Sequence, residues 1–340
     1  MEVLSNKPLR VEKPEKVSGL SYHLFGQIPE LKKKHYRILT NVSVGGDAPK
    51  ELLGCYTFKA GKRQIHNPQL WDLFIAKTGH KWYPYESITE YLLNRIGTHL
   101  GLKMADAKLA VINGQIRFLS RLFLNHQEQA LEHGAELYGG YLNDLLFVEN
   151  IEKERRAKEF FTVLFTYNTL KHLYPNQAET LFEDFIKLLV FDAIIGNNDR
   201  HFYNWGIIKY LRSAHPPSFA PIYDTARALC WHTPEEKIKT LYKNKHLLDV
   251  FLRKYVENSK PKTGIENQMV SNHFDLIRHL NNGAFPQARA IINSLINKRN
   301  QKSCCELMIE EMRYLMSRER LSVVNDCLYL RFERLLAIIK

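Results

Sequence analysis

The hydrophobic pattern of this chain changes period once, and that change dictates a two-part α+β architecture. Up to residue 121 the runs are strand-like. Tyr36–Val44 alternates and is rich in β-branched residues, the period-two signature of a half-buried strand. It leads into the turn-forming cluster Gly45-Gly46-Asp47-Ala48-Pro49-Lys50. Leu52–Phe58 and Leu70–Lys77 read as two further strands. A helix interrupts them: Ile88, Leu92, Ile96 and Leu100 recur every fourth residue. Ser87-x-x-Glu90 at its start has capping-box spacing, and Gly101 closes it. Ala107–Val111 and Ile116–Leu122 then read as a hairpin turning through Asn113-Gly114.

Beyond residue 121 the period is helical. Helices are predicted near residues 153–172, 178–195, 235–257, 266–282, 285–298 and 303–338. Only Trp205–Tyr210 and Phe219–Tyr223 break the series, as short β-type runs around a polar loop. The expectation is a small β-rich lobe over residues 1–121 and a larger helical lobe over 122–340, the second carrying one inserted hairpin.

Composition removes several alternatives. With 45% hydrophobic residues the chain has enough apolar material for a core, which excludes global disorder. Five scattered cysteines give no disulfide framework and no C-x-x-C pair, so reduced thiols are expected. The first thirty residues lack an apolar signal-peptide core, and no apolar run reaches the length of a membrane span. A cytoplasmic protein is expected, or one exported into a host cell without a signal peptide. No H-E-x-x-H, H-x-H or paired Cys/His spacing occurs, so no zinc site is expected. The net charge of +12 fits either an anionic partner or a lysine-rich, solubilising surface.

Chemistry concentrates in one string, Gly196-Asn-Asn-Asp-Arg-His-Phe-Tyr-Asn-Trp205. Asp199 and Asn204 stand five apart, and Asp224 follows twenty residues later at the end of the next β-type run. Taken singly, Asp199 is a helix-end turn residue and Asn204 a loop amide. Together with Asp224 they match what phosphoryl transfer from ATP requires. One carboxylate orients the attacking hydroxyl, while an amide and a second carboxylate hold Mg²⁺ with hard oxygen ligands. Lys77, ending Phe74-Ile-Ala-Lys77, stands where a kinase strand places its phosphate-contacting lysine. Either Glu86 or Glu90 on the following helix could pair with it. The glycine-bearing turn before Lys50 could bring backbone N–H groups to phosphate oxygens, although it matches neither standard phosphate-loop pattern.

These pieces, taken in order with Glu90-Tyr-Leu-Leu-Asn-Arg-Ile-Gly97, Ser120-Arg-Leu122 and Pro221-x-Tyr-Asp224, resemble the HipA-like serine/threonine kinases over residues 40–230. The resemblance implies a bilobal, protein-kinase-like α+β fold and use of ATP and Mg²⁺ on a protein substrate with a Ser or Thr acceptor. By motif position it makes Asp199 the catalytic base and Asn204 and Asp224 the metal ligands. Lys77 becomes a phosphate contact, and His201 a neighbour of the nucleotide. Gly45, Gly46, Asp47, Ala48, Pro49 and Lys50 form the phosphate loop, and Ser120 to Leu122 the hinge beside adenine. Ser43 falls at the family's autophosphorylation position.

Two departures stand out. Asp47 puts a carboxylate in the phosphate loop. About forty residues precede that loop, whereas toxin-type members carry a longer N-terminal region used with a DNA-binding antitoxin, so the compact, secreted type is the closer comparison. Two other functions share some of these features: a phosphoinositide-type lipid kinase, and a catalytically silent pseudokinase binding a partner or nucleic acid through its basic face.

Overall fold

The computed structural model describes residues 28–39, 50–56, 66–79, 85–125, 127–212, 215–268, 272–283 and 285–340. Ser43 and the Gly45–Pro49 stretch lie outside the described residues, and of that loop only Lys50 is described.

The first lobe is a five-stranded antiparallel sheet ordered β1-β2-β3-β5-β4. Its strands are β1 (Tyr36–Ile38), β2 (Lys50–Cys55), β3 (Asp72–Thr78), β4 (Ala107–Ile112) and β5 (Gln115–Arg121), with helix α1 (Glu86–His99) crossing between β3 and β4. The β4–β5 hairpin turns as its sequence requires. Asn113 and Gly114 both have positive φ, 51° and 73°, the signature of a type I′ turn. Strand alternation sorts the side chains. Leu53, Cys55, Phe74, Ala76, Ala110, Ile112 and Leu119 cluster on one face. Leu109, Val111, Ile116 and Phe118 turn to the other and join the main core with α1. Lys77 sits between these sets in register with Phe118, so it points toward α1.

The stripe Ile88, Leu92 and Ile96 is fully buried, as its four-residue spacing predicted. The expected capping box is not formed: the N-cap of α1 is Tyr85, which makes no side-chain cap hydrogen bond. Ser87 Oγ instead accepts from the Gly79 N–H at 3.1 Å, and Glu90 turns toward β3. Spacing identified both residues, but each found a tertiary partner stronger than a local one.

The second lobe is helical, with a three-stranded sheet β6-β7-β8 formed by β6 (Gln129–His133), β7 (Gly206–Tyr210) and β8 (Ser218–Phe219). Helix α2 (Gly134–Leu142) follows β6; neither was read from the sequence. The stretch predicted as one helix near 153–172 is broken among α3 (Leu145–Lys153), α4 (Ala157–Phe160) and α5 (Val163–Leu173), because Thr162 caps α5 afresh through its side chain. Helix α6 (Ala178–Ile195) is apolar almost all round and runs through the core, as such a pattern demands. The 235–257 helix divides into α7 (Glu235–Lys243) and α8 (Lys245–Glu257), since Asn244 caps the second. Helices α9 (His273–Asn282), α10 (Pro286–Leu295), α11 (Lys298–Met312) and α12 (Arg318–Ile339) complete the lobe. Ser317 starts α12 by accepting from the Arg320 N–H, which splits the single C-terminal helix expected from periodicity.

Arg331 of α12 is fully buried and ends α6 from outside. Its guanidinium donates to Ala193 O at 2.6 and 3.0 Å and to Ile194 O at 3.1 Å. A cation there satisfies carbonyls that have no partner within the helix and opposes the negative end of the helix dipole. Burial pulls Arg331 down to about 10, which leaves it charged at neutral pH. Gly196 follows at φ +76°, a conformation natural to glycine. No helix among the described residues is long and apolar enough to cross a membrane.

Candidate active site

The end of α6 delivers the loop that carries Asp199 and Asn204. Asp192, in the last turn, is buried and accepts from Arg200 at 2.9 and 3.2 Å and from the Asn197 amide at 3.0 Å. Asn197 Oδ1 in turn accepts from the Asp199 N–H at 3.1 Å. The loop is therefore fixed on a buried carboxylate of the core helix. His273 of α9 supports it from behind, its Nε2 lying 2.9 Å from Asn197 O. Burial is the main influence keeping that imidazole well below its usual value, so it is neutral and Nε2–H donates.

Arg200 joins the two halves of the candidate site. Its Nη1 donates to Asn204 O and to Tyr223 O, both at 2.6 Å. These carbonyls belong to the second member of the Asp-x-x-x-x-Asn pair and to the residue before Asp224. One buried guanidinium thus clamps carbonyls nineteen residues apart. Burial works against its charge, but Asp192 outweighs that and raises it further. The Asn204 amide donates to Asp199 O at 2.9 Å, which leaves its oxygen as the available donor atom.

Asp224 has φ +57°, a left-handed conformation uncommon outside glycine and tolerated best by Asp and Asn. Leu229 and Cys230, at φ 46° and 60°, continue the irregular path. A bulky Leu in that region is a stronger outlier, and such strain concentrates at functional segments. The path is held by the Tyr255 hydroxyl accepting from the Cys230 N–H at 2.8 Å.

The first lobe meets Asp224 through its lysines. Lys77 Nζ donates to Glu90 Oε1 at 2.5 Å and to Asp224 Oδ1 at 2.8 Å. Lys50 Nζ lies 3.5 Å from Asp224 Oδ2. Of the two glutamates left open by the sequence, Glu90 is the one that pairs with Lys77. Burial opposes charge on Lys77, yet Glu90 and Asp224 outweigh it and hold the ammonium above its ordinary range. Burial likewise acts against charge on Asp224, but Lys77 and Lys50 overcome it and hold the carboxyl well below its usual range. Glu90, 2% exposed, is pushed up by burial while Lys77 pulls it back. The backbone adds a second link between the lobes: Ile222 N–H donates to Lys103 O at 2.7 Å and Ala105 N–H to Ile222 O at 3.1 Å.

Asp199, Asn204, Asp224, Lys77 and Lys50 therefore converge on one region. His201 is its neighbour: burial lowers it, while Asp199, Glu152 and Asp224 pull upward. Ser120 lies on β5 opposite Ile75 of β3, and the Leu122 N–H donates to Leu73 O at 2.8 Å, at the strand edge leading into the second lobe. The donor set suits a divalent cation, because an amide oxygen and a carboxylate held ionised are both hard oxygen ligands.

Sequence reasoning missed the clamp made by Asp192 and Arg200, although Arg200 lies inside the motif. An acid in an apolar helix and an arginine eight residues later are a buried pair in waiting, and that was the available signal. Arg227, three residues after Asp224, also reaches the candidate site. It forms an ion pair with Asp199 at 3.1 Å, and its guanidinium lies 5.7 Å from the Trp231 ring centre.

Known proteins resemble this chain in sequence and fold. The chain is 25% identical over 224 residues to the serine/threonine-protein kinase CtkA of Helicobacter pylori, an alignment covering 62% of each chain. The crystal structure of a Helicobacter pylori proinflammatory kinase CtkA superposes with a TM-score of 0.68 at 18% identity, covering 89% of this chain and 93% of that one. HipA of Shewanella oneidensis, solved with HipB and operator DNA, gives a TM-score of 0.50 at 14% identity over 78% of this chain and 59% of that one. The fold is thus the bilobal, kinase-like α+β fold. The HipA-like C-terminal domain profile matches residues 42–302. With this match covering most of its length, the chain belongs to the HipA-like C-terminal domain family.

Proposed function

We propose that this chain is an ATP- and Mg²⁺-dependent protein kinase that phosphorylates Ser or Thr. The observation that carries the reading is the double clamp on Asp224. Arg200 ties the preceding Tyr223 carbonyl to the Asn204 carbonyl, while Lys77 ties the Asp224 carboxylate to Glu90. Together they gather a base, two oxygen ligands and a phosphate-contacting cation from three separate parts of the chain.

In this reading Asp199 takes the proton of the acceptor hydroxyl and orients its oxygen toward the γ-phosphate of ATP. Asn204 and Asp224 hold Mg²⁺. The metal, when bound, supplies charge neutralisation across the phosphates. Lys77, fixed by Glu90, contacts the phosphates, and Lys50 adds charge from the glycine-bearing loop. Ser120 and Leu122 line the adenine side, and His201, neutral at physiological pH, neighbours the nucleotide. Residues 1–121 and 122–340 are the two lobes. Ser43 is the candidate site of self-modification.

The test is mass spectrometry of protein incubated with ATP and Mg²⁺, alone and with protein substrates, comparing wild type with Asp199→Asn and Asp224→Asn. Phosphate on Ser or Thr in wild type and none in the folded variants is expected. Wild-type turnover in either variant refutes the assigned roles, and labelling of phosphoinositide vesicles with inert proteins transfers the assignment to a lipid kinase.

A further inference from the structure

A basic turn lies against the loop that carries Asp199, and the chemistry described so far does not use it. Its sequence is Ser259-Lys-Pro-Lys-Thr-Gly264. At one end the Lys260 N–H donates to Asn198 Oδ1 at 2.8 Å, one residue before Asp199. At the other, Gly264 pairs with Thr162: Val163 N–H donates to Gly264 O at 3.1 Å and Gly264 N–H to Phe161 O at 3.2 Å. The approach is so close that a Cβ on Gly264 would stand 1.9 Å from Lys158 O. The backbone therefore brings Lys260 and Lys262 beside Lys158 and sets all three next to the catalytic loop.

Among the described residues, no ion pair links any of these lysines to a carboxylate. Glu266, the nearest acid in the turn, is already engaged by the Thr162 hydroxyl and by the N–H groups of Leu164 and Phe165. Burial, with the charges of Lys260 and Lys262, pulls Lys158 down to about 8, as expected of cations gathered without a counter-ion. The charge of Lys262 also reaches His201, two residues from Asp199. A second sign of incompleteness lies one residue before Lys260. Ser259 is 2% exposed, and among the described residues its hydroxyl has no hydrogen-bond partner.

We propose that Lys158, Lys260 and Lys262 form an anion subsite that recognises acidic side chains flanking the acceptor hydroxyl of a protein substrate. The inference rests on the phosphotransfer reading. The subsite lies on the Asn198 side of Asp199, whereas the phosphate-contacting lysines reach Asp224 from the other lobe. An acceptor segment lying over Asp199 meets these lysines with its flanking residues. Clustered cations near an acceptor position recognise carboxylates by charge complementarity, which favours acidic segments over neutral or basic ones.

The test uses the full chain and two fluorescent serine peptides alike except for Glu-rich or Gln-rich flanks. Binding is measured by anisotropy at low and high salt, and phosphorylation by initial rates. Wild type is expected to bind the Glu-flanked peptide about tenfold more tightly at low salt, with the margin shrinking as salt rises. Lys158→Gln/Lys260→Gln/Lys262→Gln is expected to lose that margin and raise KM for this peptide about tenfold, with kcat and the KM for ATP unchanged. Lys260 is exposed, so Lys260→Gln alone keeps the test alive if the triple variant fails to fold; about a twofold to threefold loss is expected. Equal binding of both peptides by wild type, or an acidic preference surviving in the folded variants, overturns the subsite. Charge-dependent, lysine-dependent binding without phosphorylation upholds the anion site but counts against the phosphotransfer reading, and so overturns the site's role beside an acceptor hydroxyl.

Discussion

Removing the ammonium of Lys77 should convert Glu90 into a pH-dependent liability. Glu90 is 2% exposed, with Lys77 Nζ at 2.5 Å as its compensating charge. In Lys77→Met, burial acts on the carboxyl without that opposition, so Glu90 stays protonated in the folded chain at pH values where the unfolded chain has ionised. The folded pKa then lies above the unfolded one, and stability falls as pH rises from about 4.3 toward the folded value. Each pH unit in that window removes about 1.4 kcal/mol, so between pH 5 and pH 7 the variant should lose up to about 3 kcal/mol through Glu90, more than wild type, in which Lys77 pulls the carboxyl back. Lys50 and Arg200 remain beside Asp224 and favour its charged form, and the double variant Lys77→Met/Glu90→Gln, which leaves Asp224 unchanged, separates any contribution it makes. Urea denaturation of wild type, Lys77→Met and Lys77→Met/Glu90→Gln at both pH values provides the comparison. The double variant should lose the extra slope. A penalty that is the same at both pH values, or a slope that survives in the double variant, refutes the reasoning.

Arg200→Met should cost about 3–5 kcal/mol, because it leaves Asp192 charged and buried; denaturation reads the loss, and a cost below about 1 kcal/mol contradicts the clamp. Gly196→Ala should cost about 1–2 kcal/mol from its left-handed backbone alone, and more from a Cβ 2.7 Å from Arg331; unchanged thermal stability contradicts this. His273 stays neutral when folded, so protonation of the unfolded chain should remove about 1.4 kcal/mol between pH 7.5 and 5.5. His273→Gln, which can still donate to Asn197 O, should lack this acid-side loss in the same denaturation series.

Much of the fold was legible because local and tertiary preferences agreed. The Asn113-Gly114 hairpin, the Ile88–Ile96 stripe and the apolar α6 each form where their patterns placed them. The errors were of three kinds. Long helical patterns were read through Thr162, Asn244 and Ser317, where a side-chain cap restarts the helix without disturbing the hydrophobic period. Ser87 and Glu90 had capping spacing, but β3 offered stronger partners. The strand β6 and helix α2 carry too little periodic contrast to declare themselves. At the candidate site, spacing identified Asp199, Asn204, Asp224 and Lys77. The joining role of Arg200 was not legible: its pairing with Asp192 had a signal in the spacing, but the Asn204 and Tyr223 carbonyls it bridges are main-chain groups that sequence does not distinguish.

The family profile ends at residue 302, but the chain's dependence on itself does not. A fragment cut there would retain every side chain of the cleft and lose α12, and with it the only residue named here that plugs the Ala193 and Ile194 carbonyls. Those carbonyls close the helix from which the Asp199 loop departs. Such a fragment would keep the side chains of the candidate site and lose their footing, so helix α12 underpins that site as much as the cleft residues form it.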